Sequence, residues 1–173
     1  MPQQKIAAML EGLDRRSIGR ANEVARLVLR HPRRFRELIA CLWNENPGLR
    51  SRAADAAEKV SGKKPRLLDR YKTELLGLLA ETEQIELRWH LAAMIPRLHL
   101  IPAERHRAVA ALHRYLDDRS SIVKTSALQG LTDLAQNDAG LRAKVKQLLE
   151  EALQSGTPAM RARARNLLKE FPA

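Results

Sequence analysis

The stretch LHRYLDDRSSIVKTSALQGLTDL, residues 112–134, decides the fold because its key residues recur along the chain. Six residues separate Leu112 from Asp118, and six more separate Asp118 from the cation Lys124. An apolar residue precedes the cation, and another lies ten residues beyond it. The pattern occurs four times at intervals of 36–38 residues, with leucines at Leu38, Leu76, Leu112 and Leu149, polar residues at Asn44, Thr82, Asp118 and Ser155, and cations at Arg50, Arg88, Lys124 and Arg161. A fixed period of this length predicts stacked repeats that bury their apolar faces against one another.

Each repeat is predicted to contain two helices joined by a short polar turn. We expect first helices over Arg33–Trp43, Arg66–Ala80, Ala103–Leu116 and Leu141–Leu153, and second helices over Leu49–Val60, Ile85–Leu98, Ser121–Ala135 and Pro158–Phe171. Relative to the cation, the apolar positions −1, +3, +7 and +10 fall within about 80° of arc on the second helix. A weaker pair, Ile6–Leu13 and Gly19–Leu29, precedes them. We expect Pro96 to end or kink its helix, and Ser61–Lys64 to be an irregular connection.

The residues from Leu116 to Leu131 carry a resemblance to a known family. An Asp in the turn is followed by Val123-Lys124 and then by Ala127-Leu128 and Leu131, which resembles the pattern of HEAT repeats. The resemblance covers about residues 32–171 and implies a right-handed all-α solenoid of about five helix pairs. The implied repeats, in a single domain over 1–173, are 1–30, 32–61, 65–98, 102–135 and 139–172. It also implies that the cations and turn residues form a structural ladder between repeats.

Charge and composition indicate the kind of partner. The chain has 31 basic and 20 acidic residues, a net charge of +11, and nine of the basic residues lie within residues 1–36. Arginine favours bidentate contacts with carboxylates and phosphates, so the excess suits an acidic protein or a nucleic acid. Cys41 is the lone cysteine and lies in an apolar stretch, where a buried structural thiol is expected. The absence of disulfides, of an apolar signal region and of a long apolar run favours the cytoplasm.

Motifs for catalysis or metal binding are weak. His99, His106 and His113 are seven residues apart, which is too far for ligands on one helix. We therefore expect a non-enzymatic protein without metal or cofactor. One enzymatic alternative remains open, since some HEAT-like proteins are glycosylases for alkylated DNA. The residues that could support a glycosylase are Trp89 beside His90, with Asp55 or Asp133 as the catalytic acid. Aromatic residues make up only 3% of the chain, which is few for holding an extruded base.

Two basic stripes flank the apolar face of the second helices. The first stripe contains the ladder cations, which are expected to bond the turn residues. The second stripe contains the predicted partner-binding residues Arg20, Arg52, His90 and Arg163. This stripe could bind a partner, or it could be the solvated flank that any amphipathic helix has. The sequence thus predicts a non-catalytic scaffold that binds a protein partner on a concave and partly basic surface, with an acidic protein as one candidate. The alternative is sequence-independent nucleic-acid binding through the same surface.

Overall fold

The computed structural model describes residues 5–12 and 17–171, and every regular element in those ranges is helical. The predicted all-α class is confirmed for this part of the chain. Residues 1–4, 13–16 and 172–173 of the predicted outer repeats, including the end of the first predicted helix at Leu13, lie outside it. The chain divides into two compact units, the first ending at Lys72 and the second beginning at Thr73. The single-domain organisation stays a prediction.

The first unit contains four α-helices in its described residues. They are α1 Ile6–Leu10, α2 Ala21–Arg30, α3 Phe35–Ala40 and α4 Pro47–Lys63. Short 3-10 turns, Pro32–Arg34, Cys41–Trp43 and Pro65–Tyr71, flank α3 and follow α4. Helix α4 packs against α1, α2 and α3. Its fully buried alanines allow these helices to approach closely, and they are Ala53, Ala54, Ala56 and Ala57.

The second unit is built around three helices that lie side by side. Helix α5, Lys72–Glu81, begins at the last residue of the first unit. It is followed by α6 Ile85–Met94, α7 Pro102–Tyr115, α8 Ser121–Ala135, α9 Ala139–Ser155 and α10 Pro158–Glu170. Helix α8 packs against both α6 and α10, while α7 packs against α8, and α9 against α8 and α10. The second helices of successive repeats therefore pack on one another within this unit.

Polar residues fix where several helices begin. Asn46 accepts hydrogen bonds from two amides of the first turn of α4, with Pro47 as the first helical residue. Asp138 accepts one from the first turn of α9, and Thr157 does the same for α10, which begins at Pro158. These bonds satisfy amides that have no partner inside the helix, and proline at the first position loses nothing because its missing N–H would be unpaired there.

The predicted apolar register is confirmed in three of the four repeats. All twelve residues at positions −1, +3, +7 and +10 in α4, in α8 and in the predicted helix 85–98 are buried. In α10, Ala164 and Phe171 are buried, but Met160 and Leu168 are only half-buried. Helix α10 is the last helix of the described chain, so no further repeat in that part covers these two side chains.

Several predicted boundaries differ from the structure. The segment Ser61–Lys64 was expected to be irregular, but α4 continues through Lys63 because Ser61 is fully buried and its Oγ donates to the carbonyl of Glu58. The predicted helices over residues 33–43 and 66–80 begin as 3-10 turns at Pro32 and Pro65. The expected effect of Pro96 is confirmed, since α6 ends at Met94 and a 3-10 turn follows.

Two observations bear on the chain's environment. Cys41 is buried, as predicted, and its Sγ lies 3.2 Å from the carbonyl oxygen of Glu37. Burial, together with the nearby Glu37 carboxylate, raises the pKa of the Cys41 thiol, so the thiol stays protonated and unreactive at neutral pH. None of the helices in the described residues is both long enough and apolar enough to cross a membrane.

Candidate partner-binding surfaces

The polar turn residues of three repeats form the same local structure. The side-chain oxygens of Asn44, Thr82 and Asp118 each accept a hydrogen bond from the amide two residues further on, at 2.9, 3.2 and 2.7 Å. Such turns are a common use of short polar side chains. The fourth residue, Ser155, instead donates to the carbonyl of Glu151 within α9. The cap of the following helix is Thr157, two residues after Ser155, just as the cap of α4 is Asn46, two residues after Asn44.

Two of the ladder cations close the turn that precedes them. Arg50 Nη1 donates to the carbonyl of Asn44 at 3.0 Å, and Arg88 Nε donates to the carbonyl of Thr82 at 2.8 Å. In both repeats the acceptor lies six residues before the cation, as the repeated spacing requires. A cation bonded to these carbonyls stabilises the turn because hydrogen bonds with one charged partner are the stronger ones.

Arg88 also joins two successive repeats. Its Nη1 lies 2.5 Å from Oδ2 of Asp118, whose side chain is 2% exposed. Burial alone would raise the pKa of Asp118, but the hydrogen bond from the Ser120 amide and the Arg88 guanidinium outweigh it and hold that pKa below its usual value. The same guanidinium lies 5.2 Å from the ring centroid of Tyr115, whose hydroxyl donates to the carbonyl of Leu79. Burial raises the pKa of Tyr115 to about 12, despite the nearby cation.

Arg52 does not present a free cation for a partner. Its side chain is buried, with 2% of the residue exposed, and it donates to the carbonyls of Leu10, Gly12 and Ser17 at 2.6, 3.2 and 3.4 Å. Leu10 is the last residue of α1, where a carbonyl has no partner inside the helix. Gly19, with a φ of +47°, passes so close that a Cβ there would lie 3.1 Å from Cδ of Arg52. The prediction of a binding role for Arg52 is therefore replaced by a structural one.

His90 is also removed from the surface. Only 7% of the residue is exposed, and its ring centroid lies 5.4 Å from that of Trp89. The second stripe is about 100° from the centre of the apolar face, so it is solvated only where neighbouring helices leave that flank open. On α4 this flank is covered at Arg52 by the backbone of Leu10, Gly12 and Ser17. The helical angle alone could not reveal this, because the covering residues lie outside α4.

Arg20 and Arg163 remain exposed, but each already has a partner. Arg20 forms two hydrogen bonds of 2.8 Å with the carboxylate of Glu23, and both side chains are nearly half exposed. Arg163 Nη1 donates to Oε1 of Gln129 at 2.7 Å, and the amide of Gln129 donates to Asp133. Exposed contacts of this kind contribute little to stability because solvent screens them, so a stronger anionic ligand could replace them.

The exposed face of α10 carries cations that are not paired. Arg161, Arg165 and Lys169 are spaced four residues apart, so they lie within about 80° of arc on the helix. All three are exposed, and none forms a hydrogen bond or ion pair with another residue in the described part of the chain. We call these three residues the α10 basic face. Arg161 is a predicted ladder residue, whereas the repeat pattern does not include Arg165 and Lys169; the four-residue spacing of these three cations is the signal in the sequence that identifies them.

Lys124 extends the unpaired charge to the neighbouring helix. It occupies the same repeat position on α8 as Arg161 does on α10, and the two helices pack together. Lys124 is half-buried and has no hydrogen bond or ion pair with any described residue. At the start of the same helices, the hydroxyls of Ser121 and Thr157 lie 2.8 Å apart. The ladder expected at Lys124 and Arg161 is not formed by these side chains.

The candidate acids for catalysis are bonded to neighbouring side chains, and the candidate histidines for metal binding lie at the surface. Asp55 lies 2.6 Å from the ammonium group of Lys59, and Asp133 accepts a hydrogen bond from Gln129. His99, His106 and His113 are all exposed, and no group of three or more potential metal ligands occurs within residues 5–12 and 17–171.

Comparison with known proteins adds no assignment. No protein-family model matches this chain, and none of the curated proteins matches it.

Proposed function

We propose that this chain is a non-catalytic adaptor that binds an acidic protein partner. In this proposal the chain is a right-handed solenoid of about five HEAT-like helix pairs. Three observations support the solenoid. Helices α6, α8 and α10 pack side by side, three repeats share the same turn, and the Arg88–Asp118 bond joins successive repeats. The observation that carries the binding function is the α10 basic face, because its three exposed cations have no partner among the described residues.

Unpaired cations on one helical face favour an anionic partner for two physical reasons. Their summed potential attracts the partner over about 8–10 Å at moderate salt, which raises the rate of association. Arg161 and Arg165 can also form bidentate contacts with carboxylates, which a lysine cannot. Within residues 5–12 and 17–171 the fold uses no bond from these side chains, so a partner would not have to displace a contact with those residues in order to bind them.

The neighbouring apolar residues favour protein over nucleic acid. Leu168 is half-buried and lies about 20° from Arg161 around the helix, at the edge of the α10 basic face. Met160 is also half-buried, on the far side of the apolar arc. An amphipathic acidic helix could cover apolar surface and pair with the cations together, whereas a phosphate backbone offers mainly charge.

The direct test is binding of two labelled probes to the full chain, measured by fluorescence anisotropy between about 50 and 300 mM salt. One probe is a synthetic amphipathic helix with a leucine face and a glutamate face, and the other is a 20-base-pair DNA duplex. The variant Arg161→Glu/Arg165→Glu/Lys169→Glu should weaken peptide binding at least tenfold while leaving the helical circular dichroism unchanged.

A charge-matched control separates this face from net charge alone. The variant Lys5→Glu/Arg26→Glu/Arg107→Glu changes the net charge by the same amount at exposed positions elsewhere. It should retain most of the peptide binding. Equal loss in both variants would show that only net charge matters, and the proposal would then fail.

Nucleic-acid binding is the competing outcome. Duplex binding that weakens steeply with salt, with a slope of about −0.9 for each phosphate contacted, and that depends on the α10 basic face would favour it. If the peptide did not bind under the same conditions, the proposed acidic protein partner would be replaced by nucleic acid.

A further inference from the structure

A second basic surface lies in the first unit and surrounds an apolar pocket. The pocket has a volume of about 540 Å³ and lies between the segment that enters α3 and the 3-10 turn Pro65–Tyr71. Its apolar lining consists of Pro32, Phe35, Leu67 and Tyr71. Pockets of about 300–1,000 Å³ commonly bind small ligands or single large side chains. This one is therefore large enough to hold an aromatic or large aliphatic side chain.

Three arginines complete the lining of this pocket. Arg33, Arg36 and Arg70 are exposed, and none has a hydrogen bond or salt bridge with another described residue. Arg34, in the same run of the sequence, behaves differently: it is buried and forms two hydrogen bonds, of 2.8 and 3.1 Å, with the carboxylate of Glu37. The fold thus neutralises one arginine of this segment and leaves three others around the pocket.

The ring of Phe35 is not available for base stacking. Phe35 is 2% exposed, and its ring meets that of Tyr71 edge to face, at 6.0 Å between centroids and 62° between planes. Because the Phe35 ring is buried, it cannot offer a free face to a nucleobase, as stacking would require.

Two pockets in the second unit contain acidic as well as basic residues, unlike the first-unit pocket. One, of about 420 Å³, is lined by Arg105, His106, Lys144 and Asp138, and Arg105 lies 3.7 Å from the Asp138 carboxylate. Another, of about 370 Å³, contains Asp133 together with Arg105. Their cations have acids within the same lining, whereas the lining of the first-unit pocket includes three arginines and no acid.

We infer that the first-unit pocket binds an acidic peptide segment by holding one of its apolar side chains. The apolar side chain would lie against Leu67 and Tyr71, and flanking carboxylates would pair with Arg33, Arg36 and Arg70. The inference rests on the proposed function in that the partner is acidic, but it uses none of the residues of the α10 basic face. Burial of the apolar side chain supplies affinity, and the arginines select for acidic flanks.

The test uses two labelled peptides of twelve residues made of glutamate and glycine. One has a central phenylalanine and the other has alanine in its place, so that they differ only in the group that the pocket should hold. The full chain should bind the phenylalanine peptide about tenfold more tightly, since one tenfold step is about 1.4 kcal/mol and burial of an aromatic side chain can supply it. Equal binding of the two peptides would overturn the inference.

Two pocket variants address the apolar and the basic parts separately. Leu67→Glu places a charge at a half-buried position of the lining and should abolish the preference for phenylalanine. Arg33→Gln/Arg36→Gln/Arg70→Gln should weaken both peptides at least tenfold, and its substitutions are at exposed positions, so folding should be retained. If the triple variant binds both peptides as the unchanged chain does, the arginines do not contribute and the inference fails.

The control variant Lys5→Gln/Arg26→Gln/Arg107→Gln removes the same number of charges at exposed positions outside both surfaces. It should keep the preference for phenylalanine and most of the affinity. A loss equal to that of the pocket variant would mean that net charge alone attracts the peptide, and this would also overturn the inference.

The outcome is distinguishable from that of the proposed function. The α10 variant Arg161→Glu/Arg165→Glu/Lys169→Glu should retain the preference for phenylalanine, because the pocket lies in the other unit. If the amphipathic helix binds the α10 basic face but the preference is absent, only the pocket inference fails. A third outcome is that neither peptide binds, while an oligonucleotide of thymidines binds and requires Arg33, Arg36 and Arg70. In that case the ligand of the pocket is a nucleic acid and the inferred peptide ligand is wrong.

Discussion

Adding one methyl group at Gly130 should separate two helices of the second unit. Gly130 lies within α8, where that helix meets α6. A Cβ built there would lie 2.6 Å from the carbonyl oxygen of Ala92 and 3.1 Å from Cδ1 of Leu112. The Leu112 contact could relax by a rotation, but the carbonyl belongs to the backbone of α6. The two helices would therefore have to move apart by several tenths of an ångström.

The expected magnitude follows from two opposing effects. Replacing glycine by alanine inside a helix stabilises it by about 1 kcal/mol. Overpacking at a close helix contact costs about 1–3 kcal/mol, and separating packed surfaces by about 0.5–1 Å loses a quarter to a half of their dispersion energy. Because the clashing atom is a backbone carbonyl oxygen at 2.6 Å, the overpacking cost lies in the upper part of its range, and we expect Gly130→Ala to lower the free energy of unfolding by about 1–2 kcal/mol. For a chain of this size the midpoint temperature should fall by about 2–8 °C.

Gly77 supplies the matched control. It also lies inside a helix of the second unit, α5, and a Cβ there would have no heavy atom within 4 Å apart from its own helix backbone and adjoining residues. Gly77→Ala should therefore raise the free energy of unfolding by about 0.5–1 kcal/mol, because only the helix propensity changes.

Urea titration followed by circular dichroism at 222 nm measures both variants, and amide hydrogen exchange in residues 85–94 reports on α6 directly. The reasoning predicts opposite signs for the two substitutions. If Gly130→Ala stabilises the chain as Gly77→Ala does, the close contact between α8 and α6 is not present in solution.

Two further predictions concern charged residues that the fold buries. Arg52→Met should cost about 2–4 kcal/mol, because it removes charged donors from three carbonyls, including that of Leu10. The control Arg26→Met, at an exposed position, should change the free energy of unfolding by less than about 0.5 kcal/mol in the same urea titration. Equal losses of stability in the two variants would contradict the structural role of Arg52. Asp118→Asn should cost about 1–2 kcal/mol at neutral pH, since the partially exposed Arg88 is screened by solvent. Folding lowers the pKa of Asp118, so its stabilisation is complete above the usual aspartate pKa of about 4 and is lost as the pH falls through the lower folded value. The asparagine variant should show a weaker loss of stability below about pH 4, and a parallel acid titration of the two proteins would contradict the pairing.

The helices and their apolar register were readable because they depend on local spacing. Position −1 to the cation is buried at Leu49, Leu87 and Val123, as the repeated phrase requires. The predicted helix over Ser121–Ala135 has the same bounds in the structure. The α-helix before Pro96 ends as predicted, and a 3-10 turn contains the proline. Each of these features is set by residues within one or two helical turns.

The candidate site was readable only in part. Spacing identified the cations that close the turns, Arg50 and Arg88, since donor and acceptor lie six residues apart. It gave no means of telling which cations would remain unpaired. Arg161 has the same repeat position as Arg88, yet only Arg88 has a buried acid, Asp118, within reach in the described part of the chain.

The sequence by itself determined the all-helical class, the repeat length and the apolar side of each second helix, because these follow from periodicity along the chain. The tertiary structure decided which polar side chains are covered. Arg52 is buried against carbonyls that lie 35 to 42 residues earlier, and the pocket beside Phe35 is also lined by Leu67 and Tyr71. Burial is set by neighbours that are distant in sequence, and helical periodicity contains no information about those neighbours.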